Sequence, residues 1–302
     1  MNPCLIFDVK KYAINDGPGI RITIFMKGCS LSCSWCHNPE SKSSNTQKMY
    51  TESKCIGAQS CIEVCDQNAL TLTPKGIVTD YELCNLCGDC AEVCPTKAIE
   101  MSGKEMTVDE VMALIKREAF IMEQSEGGVT FSGGEPLLHH QFLIAVLDEC
   151  KKEGIHTCVD TTGFADTNIL LDVAKRTDYF LYDLKLMDSK LHKEYTGVPN
   201  EKIIENLKTL ASTGVDIDIR VPLISGVNDD DENIIQTAEL VKSLPGKPKP
   251  VSILPHHNSA AKKYEKLGEA YDPGNMSEPS EQRQAEVLKI FADHGIQAKI
   301  GG

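Results

Sequence analysis

The sequence predicts an α/β protein, a partial (β/α)6 TIM-like barrel interrupted near its start by a small inserted domain. Three observations carry that expectation. Six short runs rich in β-branched residues alternate with segments of helical period, which implies a parallel sheet with right-handed crossovers. A chain of 302 residues suits one large domain plus a small one, and leaves little for a closed eight-stranded barrel. Between about residues 48 and 104 the alternation stops, cysteines recur every few residues and no long helical period is visible.

The elements follow in order. Ile20–Gly28, IRITIFMKG, reads as the first strand and runs directly into CSLSCSWCHNPE. Beyond the insert, Thr107 and Glu110 form a capping box. Val108, Val111, Met112, Ile115 and Ala119 then keep the helical period. Further strands are expected at Gly128–Ser132, His156–Thr162, Tyr179–Lys185, Asp216–Ile224 and Pro250–Pro255. Helices are expected at Gln141–Lys152, Asn168–Lys175, Glu201–Ser212 and Asn233–Ser243. A last helix, Glu281–Asp293, precedes a short strand, Gln297–Ile300. Residues 1–47 and 105–302 are thus assigned to the barrel and residues 48–104 to the insert.

Hydrophobic residues make up 41% and charged residues 25% of the chain, as in ordinary globular proteins. Acidic residues outnumber basic ones 44 to 31, a net charge of −13, which argues against general binding to nucleic acid or anionic membranes. No apolar run approaches the roughly 20 residues a bilayer span needs, and MNPCLIFDVKK lacks the pattern of a secretory signal. The chain holds 13 cysteines, ten of them between Cys29 and Cys94. A secreted disulfide scaffold is short and loop-rich, so a reducing cytoplasm with metal-bound thiolates is the expectation. Cys4, Cys150 and Cys158 stand apart and read as ordinary thiols.

Three expected strands carry charge where a buried parallel strand should be apolar. Asp183 and Lys185 share one face of their strand, Asp218 and Arg220 share one, and so do Asp160 and Thr162. Burying unpaired charge costs several kcal/mol per ion. Salt bridges closing a barrel end would explain any one pair, but three together near the carboxyl ends point to a polar ligand cavity.

Cys29, Cys33 and Cys36 form C-x3-C-x2-C on one tight loop. Three such cysteines can hold three irons of a cubane and leave the fourth open to a substrate. A zinc site with His37 as fourth ligand stays open on spacing alone. The surrounding text narrows the choice. C-x3-C-x2-C after a first strand, with DGPGIR (Asp16–Arg21), KGC (Lys27–Cys29), WCHNPES (Trp35–Ser41), FSGGEP (Phe131–Pro136) and YDLK (Tyr182–Lys185), resembles the activating enzymes of glycyl radical enzymes. These belong to the radical S-adenosylmethionine (SAM) superfamily.

That resemblance implies a four-iron cluster on Cys29, Cys33 and Cys36, with SAM chelating the open iron. One electron from flavodoxin or ferredoxin would cleave SAM to methionine and a 5′-deoxyadenosyl radical. The radical would take a hydrogen from a glycine of a partner glycyl radical enzyme. The resemblance further implies SAM contacts from Gly133, Gly134 and Glu135, with Glu135 on the amino group, and from Lys185 and Arg220. His257 is carried over as the histidine near the adenosyl part, with His256 one position off, and Trp35, His37 and Asp183 as further contacts. Asp160, Thr161 and Asp183, with the carbonyl of Leu181, resemble a monovalent-cation site, and Asp16 a residue meeting the incoming glycyl loop. A monomer is expected. Two rival readings remain: a radical SAM enzyme acting on a small molecule or peptide, and a pure electron-transfer iron–sulfur protein.

Cys84, Cys87, Cys90, Cys94 and Pro95 read C-x2-C-x2-C-x3-C-P, the two-cluster ferredoxin run, whose fourth cysteine serves the other cluster. Cys84, Cys87 and Cys90 should therefore join Cys65 on a four-iron auxiliary cluster in a ferredoxin-like insert. The first run has Ala58 where its second cysteine belongs and Asp66 where its proline belongs. Cys55, Cys61 and Cys94 then remain for a second auxiliary cluster. It could be a three-iron cluster or a four-iron cluster with a non-cysteine ligand, Gln59 and Asp66 being the nearest polar side chains, or it could be absent.

Overall fold

The β-branched runs build one sheet, and the helical segments between them return the chain across it. The computed structural model describes residues 2–257 and 260–301. In chain order the elements are β1 (Cys4–Ala13), β2 (Arg21–Met26), β3 (Gln47–Tyr50), α1 (Ser60–Glu63), β4 (Leu70–Thr73), β5 (Gly76–Thr79), α2 (Asp89–Glu92), β6 (Ile99–Ser102), β7 (Lys104–Met106), α3 (Val108–Arg117), α4 (Ala119–Gln124), β8 (Gly128–Gly133), α5 (His140–Lys152), β9 (Thr157–Thr161), α6 (Thr167–Ala174), β10 (Tyr179–Asp183), α7 (Ser189–Thr196), α8 (Glu201–Ala211), β11 (Asp216–Leu223), α9 (Asp231–Ser243), β12 (Val251–Pro255), α10 (Ala261–Lys266), α11 (Glu281–Asp293) and β13 (Ala298–Ile300).

Nine strands form the main sheet in the order β13-β12-β11-β10-β9-β8-β2-β1-β7. From β2 to β13 the pairs are parallel. The sheet is open, because β7 and β13 end it without meeting. The final strand joins it as a seventh parallel member.

Period-two alternation sorts the side chains. Ile22 and Ile24 of β2, Phe131 of β8, Val159 of β9, Phe180 of β10 and Ile219 of β11 are fully buried in one apolar core with Leu143 and Leu147 of α5 and Leu207 and Leu210 of α8. Arg21, Thr23, Thr130, Ser132, Asp218 and Ser252, offset by one, are also buried but polar. The helix-facing side is the core, and the other side is the wall of the functional cavity.

The N-terminal segment is a strand that the sequence reading did not assign. β1 runs antiparallel to both β2 and β7. Two register irregularities, between Ile6 and Asp8 and between Lys10 and Ala13, break its alternation and hide it from a period-two reading. Strands β9 and β10 stop at Thr161 and Asp183, so Thr162 and Lys185 lie in the loops beyond the ladder.

Residues 47–102 interrupt the sheet. β3 and β6 pair antiparallel from Gln47↔Ser102 to Tyr50↔Ile99, and β4 and β5 form a hairpin. A separate small core of Cys61, Leu70, Ile77, Cys90 and Ile99 holds the segment together. Lys27, fully buried at the end of β2, binds it to the sheet. Its ammonium donates to Gln47 Oε1 at 2.7 Å and to the carbonyl of Glu40. Burial lowers this lysine to about 8.

Candidate functional site

The polar wall opens into a cavity at the carboxyl ends of the parallel strands, the usual ligand position of such sheets. Its volume is about 320 Å³. A larger open groove of about 940 Å³ lies at the amino ends of β10 and β11, but no cysteine lines it.

β2 delivers the chain to the cavity through the loop carrying Cys29, Cys33 and Cys36, all of which line it. Backbone bonds from Gly28 N–H to the Ser41 carbonyl (2.7 Å) and from Cys29 N–H to the Lys42 carbonyl (3.2 Å) close the loop. Ser32 and Ser34 N–H donate to the carbonyls of Thr196 and Tyr195 at 2.8 and 2.9 Å. Leu31, Cys33 and Trp35 bury themselves against Leu186, Ile224, Val227 and Met276. The loop is therefore fixed by packing before any ligand arrives. Burial pushes the Cys29 thiol up to about 12 and the Cys33 thiol up to about 11, and raises Cys36 in the same direction.

Asp160, Asp183, Lys185 and Arg220 meet on the opposite wall. Lys185 Nζ lies 2.7 Å from Asp183 and Arg220 Nη1 lies 3.2 Å from Asp160. Asp160 also accepts from Ser132 Oγ at 2.6 Å. Burial works against the Lys185 ammonium, but the Asp183 carboxylate together with the nearby Cys33 and Cys29 sulfurs outweighs it and holds the lysine above its ordinary value. Burial raises Asp160 to about 6, an effect that Arg220 opposes. The quartet is neutral as a whole, so each charge keeps a partner at the edge of the cavity. Asp218 is lower in β11 and bonds to Ser252 Oγ at 2.9 Å, away from the quartet.

Asp16 lines the cavity and accepts from Thr23 Oγ1 at 2.7 Å. Trp35 and His37 also line it. The His37 ring lies 5.5 Å from that of His256, and burial lowers the His37 pKa. Thr161 lines the wall, but its hydroxyl donates to Glu135 at 2.6 Å. Leu181 sits in the paired part of β10, between Asp160 and Asp218.

Two expected contacts lie off the cavity wall. His257 is 63% exposed, lies 3.6 Å from Glu278, and is not on the cavity wall. Its neighbour His256 is buried and on the wall. At the end of β12 adjacent residues point to opposite sides, so one position decides which histidine enters. Glu135 is fully buried and turned off the wall. Its carboxylate accepts from Leu137 N–H, Thr161 Oγ1, Thr162 N–H and Thr162 Oγ1 at 3.1, 2.6, 2.9 and 2.6 Å. Four donors satisfy a buried carboxylate without any ligand.

The preceding glycines have a packing reason. A Cβ on Gly133 would sit 2.2 Å from the Met26 carbonyl oxygen, and one on Gly134 would sit 2.0 Å from that of Gly28. Gly134 and Glu135 N–H donate to these same two carbonyls at 2.8 Å each. The turn is thus stitched to the root of the cysteine loop, and its backbone faces the cavity.

Sequence reading missed Asn228. Its amide donates to the carbonyls of Lys185 (2.8 Å) and Pro222 (2.6 Å) and accepts from Ile224 N–H (2.8 Å), tying together the strand ends that carry Lys185 and Arg220. A buried asparagine in a loop gives no periodic signal.

A family model described as the radical SAM superfamily matches residues 83–238. A trans-4-hydroxy-L-proline dehydratase activating enzyme from Clostridioides difficile is 40% identical over 304 residues, covering 100% of both chains. The chain belongs to the radical SAM activating enzymes of glycyl radical enzymes. A 4-hydroxyphenylacetate decarboxylase activating enzyme from Clostridium scatologenes is 34% identical, covering 98% of this chain and 97% of its own. A crystal structure of a domain of pyruvate-formate lyase-activating enzyme from Bacteroides vulgatus is 41% identical with a TM-score of 0.51, covering 58% of this chain and 99% of that one.

In this activating enzyme, models of a 4Fe-4S dicluster domain and a 4Fe-4S single cluster domain also match, at residues 54–98 and 15–73. Among the described residues, no three His, Cys, Asp or Glu side chains draw together around a single metal ion. Instead, two small cavities open inside residues 47–102. Cys55, Cys61 and Cys94 line the first, and Cys65, Cys84, Cys87 and Cys90 the second.

The two halves of the segment match in backbone. Leu86 (φ 59°) and Gly88 (φ 94°) bracket Cys87, while Gly57 (φ 72°) and Gln59 (φ 61°) bracket Ala58. Asn68 (φ 50°) and Lys97 (φ 52°) follow the last cysteine of each run. Cys65 and Cys94 accept N–H bonds from Ala69 and Ala98, at 3.4 and 3.2 Å. The loop at Ala58 keeps the left-handed backbone of the loop at Cys87. Sulfur-lined cavities of this kind fit iron–sulfur clusters of the type those family models describe.

Proposed function

We propose that the cavity between Cys29–Cys36 and the Asp160–Arg220 quartet binds SAM beside a four-iron cluster, in a partial (β/α)6 barrel carrying a ferredoxin-like insert. The observation that carries this reading is the meeting of three free thiols on one fixed loop with a neutral quartet of charges on the facing strand ends. When bound, the cluster supplies the electron that cleaves SAM reductively, and the chemistry ends with hydrogen abstraction from a partner's glycine. The chain's own residues orient and enclose. Lys185 and Arg220 can each turn from an aspartate to the SAM carboxylate or ribose, while Asp183 and Asp160 answer its ammonium. The backbone of Gly133 and Gly134 offers further polar contacts. His256 and Trp35 flank the adenosyl end, and Asp16 stands where a substrate loop would enter.

Asp160, Thr161 and Asp183 are the proposed monovalent-cation ligands, and a cation there would have to displace the pairs to Arg220 and Lys185. Cys65, Cys84, Cys87 and Cys90 are the proposed ligands of one auxiliary cluster, and Cys55, Cys61 and Cys94 of a second. The protein substrate is a glycyl radical enzyme, and an external one-electron donor such as flavodoxin or ferredoxin reduces the chain. The test is anaerobic incubation with SAM, a reductant and purified candidate glycyl radical enzymes, read by electron paramagnetic resonance (EPR). A glycyl radical signal on one candidate, lost on replacing Cys29, Cys33 or Cys36 by alanine, is expected. SAM cleavage that persists in those variants would disprove the assignment.

A further inference from the structure

Strand β3 carries Lys48 and Tyr50 two residues apart, so both side chains leave the same face. One reaches each sulfur-lined cavity. Tyr50 lines the cavity of Cys55, Cys61 and Cys94, and Lys48 lines that of Cys65, Cys84, Cys87 and Cys90. The two residues are nevertheless unlike in charge and in company. The Tyr50 hydroxyl accepts from Ile77 N–H at 2.9 Å. Lys48 is 4% exposed, and its Nζ has no hydrogen-bond or ion-pair partner among the described residues. Its neighbour is the face of Tyr81, at 5.5 Å from the ring centre. A buried ammonium without an acceptor costs several kcal/mol unless something anionic completes it. The cavity it faces is the one with the extra thiolate.

We propose that Lys48 is the counter-charge of the four-cysteine auxiliary cluster, and that it positions the reduction potential of that cluster. The inference rests on the reading that these cysteines hold a cluster. The two sites have the same shape and differ by one ligand, Cys87 against Ala58. The fourth thiolate adds one negative charge, and Lys48, the cation lining that cavity, offsets it; Asp89, exposed to solvent, lines the same cavity. With the same iron core in each, Lys48 removes the difference that the extra thiolate makes. Cluster charge and the groups around the sulfurs set the potential, and a nearby cation favours the added electron. Lys48 therefore raises the four-cysteine cluster toward its three-cysteine neighbour, and the gap expected from the missing thiolate alone is narrowed.

The test is an EPR-monitored redox titration of the iron-loaded protein, with iron counted in each variant. In Lys48→Met, the reduced-to-oxidised ratio of the four-cysteine cluster at a fixed poise should fall at least tenfold, a shift of about 59 mV for one electron. Lys48→Arg should keep the wild-type midpoint, and Tyr50→Phe should not move this cluster. Lys48→Gln, a milder neutral change, should repeat the shift if the methionine variant does not fold. Full iron content with an unmoved midpoint in the neutral variants would overturn the proposal. Iron content that is unchanged by Cys84→Ala would instead remove the cluster reading itself, and the role of Lys48 with it.

Discussion

At the scale of single residues, position along a strand end outweighs residue type. His256 and His257 are chemically identical, yet one is buried on the cavity wall and the other is exposed beside Glu278. Replacing His256 by alanine should weaken SAM binding about tenfold, the equivalent of roughly 1.4 kcal/mol. Replacing His257 should leave it unchanged, and equilibrium dialysis against SAM distinguishes the two. Glu135 gives the second expectation. Because its carboxylate is consumed by Thr161, Thr162 and Leu137, Glu135→Ala strands several buried donors. A loss of about 3 kcal/mol is expected, read as a lower denaturation midpoint without SAM. An unchanged midpoint with weakened SAM binding would return Glu135 to direct contact. Both residues were legible as members of a motif. Their directions were not, because rotamer and strand end are decided by packing that no short motif encodes.

Elements were legible where their period was clean. β8 to β12 lie within a residue or two of their expected bounds, since each is short, apolar on one face and bounded by turn residues. β1 was not, because edge pairing and two register shifts blur its alternation. Helix α7 was not either, although the cysteine loop leans on it, for its polar sequence carries little apolar stripe. The insert was legible from cysteine spacing, including the gap at Ala58, but spacing alone left open whether the loop there keeps its shape. The paired left-handed residues on either side show that it does. Ala58→Cys should therefore accept a ligand without backbone movement. The variant is expected to gain one ordinary four-iron EPR signal and at most one more iron per chain. Two complete, indistinguishable four-iron clusters in the unaltered protein would show that another group already fills this corner.

Across the whole molecule, buried thiols differ in what they face. Burial pushes Cys4, Cys150 and Cys158 up to about 12, and these line none of the cavities described above. Cys29 and Cys33, pushed to about 12 and 11, and Cys36, also raised, face the cavity. Above the ordinary thiol value of 9.0, the unfolded chain releases protons that the folded chain retains, so the iron-free protein should lose stability as pH rises through that range. Loading the loop with a cluster replaces three of those protons by iron. The loaded protein should therefore show a shallower decline above the thiol value of 9.0, measured by anaerobic denaturant unfolding of both forms. Equal slopes would place the cluster elsewhere. The twofold likeness inside residues 47–102 has a consequence for Ala58 as well. The segment carries one loop pattern twice, with seven cysteines in place of eight, and the half with alanine keeps the left-handed backbone of the half with cysteine. Gln59 holds a left-handed backbone that costs a non-glycine residue roughly 1–2 kcal/mol. The eight-cysteine form is one amino-acid replacement away, at a position whose flanking backbone already matches that of the loop at Cys87.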